Sequence, residues 1–355
     1  MIHVYRAKII IDCQPPRGHS PHITDAVRAA MSNPFKYFRN REVGLALGSG
    51  GAKGLAHIAV VEYLQSMDIP IDYIAGSSIG AVIGALHGVG SLARFKEDIM
   101  RFTFREMIGY MDPMVPRSGI IQGKGFVKFM ERYIPRDAKI EDLKTPLAVL
   151  ATDYSSGTSV IFRKGNILQA LRASVSIPGV LVPVRYGKTI LIDGGVANPL
   201  PVNIVRGMGA GITIAVNLHP RLKKRGLRHY AAVPDEDQRQ ADDVQVLLPP
   251  GEGPQSREGG VRWLAAIEQW LKSGRDKSAD RMPNILDIMA GSVDIMEYVN
   301  TALLLRYNAP TVLIEPDVID VQTLDFVDAK KIINEGYLAC VRAEKLLKRR
   351  VKAWV

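Results

Sequence analysis

The chain has 355 residues, 47% hydrophobic and 23% charged, enough for one large α/β domain or two smaller ones with a sizeable core. Its formal charge is +10, and basic residues gather at 221–228 and 342–352, as solvated faces or as contacts for anionic partners such as lipid headgroups. Two distant cysteines, Cys13 and Cys340, exclude a disulfide framework and a cysteine metal site, and residues 1–15 lack the pattern of a secretory signal, so a cytoplasmic protein is expected.

Residues 1–41 read as an N-terminal extension broken by Pro15, Pro16 and Pro34. Regular structure is expected from Val43-Gly44-Leu45-Ala46-Leu47, an apolar run suited to a buried parallel strand. It leads into Gly48-Ser49-Gly50-Gly51-Ala52-Lys53-Gly54 and then a helix over 55–67, with Val60, Val61, Leu64 and Met67 on its apolar face. His57 falls on the same side and is expected to be packed and hydrogen-bonded, not catalytic. The next stretch, 73–93, has no charged side chain, and Gly76, Gly80, Gly84 and Gly88 recur every four residues. It admits three readings: a strand–turn–helix with Ser78 at the tip of a G-x-S-x-G elbow, a single buried helix, or a membrane span.

Residues 90–146 read as helical and polar, interrupted by Pro113, Pro116 and Pro135. A buried strand over 146–152 pairs with 159–162 as a hairpin, and a short helix follows at 166–174. A second hairpin, 182–186 with 189–192, delivers Asp193-Gly194-Gly195 to a loop, and 212–216 is a further strand. Together 42–218 form the expected catalytic core. Composition changes at His219, and 219–260 reads as a variable loop or lid. Helices at 260–274 and 284–305, a strand at 311–315 and a helix over 328–352 complete the same domain. Trp263, Ile267, Trp270 and Leu271 form a stripe, read as core packing or as a membrane-contacting face. The alternation of strands and helices predicts a three-layer α/β/α fold with a mostly parallel central sheet.

Three loops carry the chemistry. The glycine-rich loop lacks the third glycine of a dinucleotide fingerprint at Lys53, and Lys53 is followed by Gly54, not by the Ser or Thr of a phosphate loop. It offers bare backbone N–H groups at a helix start, which suit an oxyanion or a phosphate. A nucleotide- or phosphate-binding module is therefore one alternative. Ser78 needs a base to become a nucleophile. Asp193 leaves an apolar strand into a glycine turn, where burial would raise its pKa, although Asp-Gly-Gly alone is also a plain turn signal. Ser78, Asp193 and His219 also follow the chain order of an α/β-hydrolase triad, which would make an esterase or thioesterase.

Taken together, the three loops resemble the patatin-like phospholipase family, its bacterial members in particular, over about 43–216 and more loosely to 346. The resemblance rests on Ser49-Gly50-Gly51-Ala52-Lys53-Gly54, on Gly76 to Gly80 and on Asp193-Gly194. Ala151-Thr152-Asp153 and Ala173-Ser174-Val175-Ser176-Ile177-Pro178-Gly179 are also family-like, and Ser49 stands where many members have glycine. It implies Ser78 as nucleophile, Asp193 as general base, and the N–H groups of Gly50 and Gly51 as the oxyanion hole. Lys53 would orient the loop or bind an anionic headgroup of the substrate. The resemblance further implies a lipid or acyl ester substrate met at a membrane surface, no cofactor, no metal and no nucleic-acid partner. An aspartate base is weaker than imidazole, so modest turnover is expected.

Overall fold

The computed structural model describes residues 41–103, 106, 109, 110, 112, 121–220 and 285–354. The expectations for the extension at 1–40, the basic group at 221–228, the lid beyond Pro220 and the tryptophan-bearing helix at 260–274 lie outside these residues.

Strand β1 (Val43–Leu47) is buried along its whole length, as an apolar run without alternation must be when both faces of its sheet are covered. It pairs in parallel with β2 (Tyr73–Ser77) on one side and β7 (Ile212–Val216) on the other. β2 pairs in parallel with β3 (Leu147–Asp153), and β7 with β8 (Val312–Ile314). Three antiparallel pairings finish the sheet: β4 (Ser159–Phe162) and β6 (Thr189–Asp193) on β3, and β5 (Val184–Tyr186) on β6. The path runs β5-β6-β3-β2-β1-β7-β8, with β4 on β3, so the C-terminal strand completes the sheet that begins at Val43.

Helices cover both faces. On one side α1 (Ala56–Ser66), α2 (Ile79–Val89), α5 (Ile167–Ser174) and α8 (Ala329–Arg350) bury Leu64, Ile83, Leu171, Ile332 and their neighbours in the larger core. On the other, Val202 and Val205 of α6 (Val202–Gly207) pack with Leu305 of α7 (Ile285–Tyr307) against Ala46, Ala75 and Ala215. The result is the expected three-layer α/β/α fold.

Several elements differ from expectation. The charge-free stretch at 73–93 is divided between β2 and α2, so the readings as one helix or one membrane span fall. In place of a mainly helical 90–146, the described residues give α3 (Leu92–Met100), α4 (Lys124–Met130) and a 3-10 turn at Ile140–Asp142. Phe95 of α3 meets Phe129 and Tyr133 edge-on, which ties this region to the core by aromatic packing. Helix α6, just after Pro201, had no periodic signal long enough to announce it. Within α7, 288–307 is long and apolar enough to cross a membrane, yet its buried positions include Glu297 and Thr301. Ile288, Ile295, Val299 and Leu303 face outward instead.

Gly336 lets α8 cross α1 at close range, because a Cβ there would collide with the carbonyl of Ala56. Gly336→Ala is expected to lower the unfolding free energy by about 1–3 kcal/mol, as overpacked contacts do. Urea titration checks it; an unchanged midpoint would show that the two helices can simply separate.

Candidate active site

The register of β3 builds the site. Its first half pairs Leu150 with Ser77 at the end of β2, and the next residue, Ala151, pairs with Asp193 at the end of β6. One strand therefore sets the ends of two others side by side. Ser78 follows immediately, with φ 53 and ψ −123, a conformation that costs a non-glycine residue about 1–3 kcal/mol. The turn is held by what surrounds it. Ala81 and Val82 donate their N–H groups to the Ser78 carbonyl, and the Ser78 N–H donates to Ser174 Oγ at 2.9 Å. Gly80 lies so near β1 that a Cβ would strike the carbonyl of Leu47, which seats the start of α2 against the glycine-rich loop.

Ser78 Oγ donates to Asp193 Oδ2 at 2.6 Å, and Asp193 Oδ1 accepts the Gly195 N–H at 2.7 Å. Thr152 Oγ1 donates to the Asp193 carbonyl at 2.8 Å and accepts the Ala197 N–H at 3.2 Å, fixing the turn from its other side. Burial pushes the Asp193 carboxyl up to about 7, against the opposing pull of these Ser78 and Gly195 hydrogen bonds.

The glycine-rich loop is pinned at its margins. Ser49 N–H donates to Pro199 O and Ala52 N–H to Thr323 O, both at 2.8 Å. His57 is fully buried, and its Nε2 lies 2.8 Å from the Gly48 carbonyl; burial lowers its pKa to about 4, so it donates as a neutral ring. This is the packed histidine expected from the sequence. Gly50 and Gly51 have φ of 150 and 55, and a Cβ on Gly51 would collide with the carbonyl of Thr323. Among the described residues no acceptor takes the N–H of either glycine.

Lys53 differs from one of its two expectations. Its ammonium is buried, 3.1 Å from Asp294 Oδ1 and 3.3 Å from His219 Nε2. Committed to the interior, it is not presented to a headgroup, because leaving Asp294 uncompensated would be costly. The loop-orienting role remains. His219 likewise meets Lys53, Asp294 and Glu297, with its Nε2 3.2 Å from Glu297 Oε2 and 3.6 Å from Asp294 Oδ1. The Ser78 hydroxyl is given to Asp193, so the geometry brings Ser78 and Asp193 together and leaves His219 in a different cluster.

That cluster was missed from the sequence. Burial works to raise Asp294, but the His219 hydrogen bond and the Lys53 charge outweigh it and hold the carboxyl at about 2. Glu297 is pushed up to about 8, chiefly by burial and then by the charge of Asp193. The buried Ser49 hydroxyl lies against the same carboxyl and favours its ionised form, although the pair lacks good hydrogen-bond geometry. Burial also lowers the His219 pKa, with Asp294 opposing. The ligand atoms of His219, Asp294 and Glu297 lie within 4.8 Å of one another, a spacing a metal could use. Lys53 Nζ already stands among them and supplies the positive charge. The available signal was two acids, Asp294 and Glu297, three apart on a mainly apolar stretch of helix.

The structure thus places a strained serine between a parallel strand and a helix, bonded to a buried carboxyl, on an α/β/α sheet. Residues 45–206 match the model of the Patatin-like phospholipase family. An uncharacterized NTE family protein of Mycobacterium tuberculosis is 41% identical over 177 residues, 50% of this chain and 49% of the relative. Patatin-like phospholipase domain-containing protein 6 of Mus musculus is 32% identical over 182 residues, 50% of this chain and 13% of the mouse protein. Among solved structures, VipD from Legionella pneumophila gives a TM-score of 0.42 at 13% identity, covering 88% of this chain and 67% of VipD. The chain spans at most about half the length of these curated relatives.

Neutral burial of His57 has a thermodynamic consequence. The folded protein keeps it unprotonated down to about pH 4, while the unfolded chain takes up the proton near the ordinary value of 6.5. Its contribution is complete above pH 6.5 and is lost as pH falls toward 4. Between pH 7 and pH 4.5 the loss should be about 2–3 kcal/mol. Urea unfolding of wild type and His57→Gln at both values checks this; an equal pH-linked loss in the two proteins would exclude His57 as its source.

Proposed function

We propose that the chain is a serine acyl hydrolase of lipid esters working through a Ser78–Asp193 dyad, with Gly50 and Gly51 as its oxyanion hole. The observation that carries the reading is the 2.6 Å hydrogen bond from a strained Ser78 to a buried Asp193 whose pKa is raised to about 7. A general base poised near the working pH transfers protons most effectively.

In this reading Ser78 Oγ attacks the acyl carbonyl carbon as its proton passes to Asp193 Oδ2. The carbonyl π electrons move onto oxygen, and the Gly50 and Gly51 N–H groups stabilise that oxyanion. The positive end of α2, which starts at Ile79, adds to this field. Collapse breaks the ester C–O bond, and Asp193 returns the proton to the leaving alcohol. Water then attacks the acyl-Ser78 ester, giving its proton to Asp193, and the acid departs as Ser78 recovers its hydrogen. The outward apolar residues of α7 and the net positive charge of the chain favour contact with a lipid surface.

A serine-directed fluorophosphonate should label the wild-type protein and not Ser78→Ala. Hydrolysis of a short-chain p-nitrophenyl ester should rise through about pH 7 as Asp193 ionises. Asp193→Asn should lower kcat by about 10²–10⁴-fold, the range of general-base catalysis. Labelling that persists in Ser78→Ala, or an Asp193→Asn variant with wild-type turnover, would sink the dyad.

A further inference from the structure

We propose that Glu297 is a positioning residue of the acyl-transfer site, joining α7 to both the Asp193 turn and the oxyanion loop. The inference rests on the acyl-hydrolase reading and extends it beyond the segment 45–206 that carries the family match.

Glu297 reaches the site at three points. Its carboxyl lies directly over Gly195, where a Cβ would collide with Glu297 Oε1, and Gly195 is the residue whose N–H holds Asp193 Oδ1. The same would-be Cβ lies 2.7 Å from Ser49 Oγ, so the carboxyl, the Asp-Gly-Gly turn and the glycine-rich loop converge on one spot. On its other side Glu297 Oε2 meets His219 Nε2 at 3.2 Å, and His219 closes on Gly50: its Cε1 lies 3.3 Å from where a Gly50 Cβ would stand. One turn further along α7, Asn300 Nδ2 donates to the Val196 carbonyl at 2.9 Å, holding the helix in register with the turn.

The groups facing Glu297 are Asp193 on the turn, Asp294 on its own helix, Lys53 from the loop and His219 after β7. Their charges balance in one arrangement. Lys53 and Asp294 form an ion pair, His219 is neutral, and Glu297 keeps its proton with Oε2 3.2 Å from His219 Nε2. With Glu297 neutral, the Asp193 carboxylate has no second anion beside it. When Glu297 ionises, negative charge appears behind the loop that must stabilise an oxyanion, and the site is weakened. Activity should therefore rise as Asp193 ionises and fall at more alkaline pH as Glu297 ionises.

The experiment uses the full chain and compares wild type, Glu297→Gln and Glu297→Ala in ester hydrolysis from pH 5.5 to about 10. Thermal melting of each is measured alongside. Wild type is expected to give a bell-shaped kcat profile. Glu297→Gln keeps the size and shape of the side chain without a charge; it should retain kcat near neutral pH and the acid limb, and lose the alkaline limb. Glu297→Ala should lower kcat about 10–100-fold with KM little changed, as loss of positioning does. Wild-type kcat in Glu297→Ala, or an alkaline limb unchanged in Glu297→Gln, overturns the proposal. If Glu297→Ala fails to melt cooperatively, the isosteric Glu297→Gln profile decides alone. Absence of Ser78 labelling in wild type would overturn the acyl-hydrolase reading and this one with it; failure of this one alone leaves that labelling intact.

Discussion

The structure around the site depends on a carboxyl group buried with few partners. Asp193 is 3% exposed, and its oxygens receive one hydrogen bond each, from the Ser78 hydroxyl and the Gly195 N–H. Among the described residues no Lys or Arg neutralises it. A fully paired carboxylate would be too acidic to take a proton from serine, and one without any partner would stay protonated. Two hydrogen bonds in a dry setting lie between these limits. The backbone strain at Ser78 belongs to the same arrangement, because only that turn aims the hydroxyl at the end of β6.

Near this carboxyl lies a second polar cluster with the opposite design. Lys53, His219 and Asp294 are densely paired, and Lys53 supplies the positive charge withheld from Asp193. The glycine-rich loop lies between the two. It is held on one side by His57 and Pro199, on the other by Thr323 and Lys53, and only its middle glycines keep their N–H groups available. Its margins are immobilised, so its centre is held in place without needing to reorganise.

Much of this was legible in the sequence, for definite reasons. Val43–Leu47, Leu147–Asp153 and Ile212–Val216 are buried on both faces, and such strands must read as unbroken apolar runs. Ser78 and Asp193 stood out because the elbow and the Asp-Gly-Gly turn need glycines at fixed offsets. Glu297 did not stand out. Its importance comes from a long-range contact with Gly195, about a hundred positions away, which no local spacing encodes. Lys53 was ambiguous for the same reason, since an amine in a glycine-rich loop reads identically whether it faces solvent or Asp294. The reading of 90–146 stayed coarse because Phe95 packs with Phe129 and Tyr133 more than thirty positions away, a contact that composition does not encode.

The β3 ladder has a consequence for motion as well as for placement. Ser77 and Asp193 are attached to adjacent residues of one buried strand, Leu150 and Ala151, by backbone hydrogen bonds and not through flexible loops. Their separation therefore belongs to the slowest-opening part of the molecule. In hydrogen-exchange terms, Ser78 and Asp193 sit within a single cooperative unit, and loops can fray around them without changing their distance. That geometry is then as durable as the sheet itself, whatever the rims around it do.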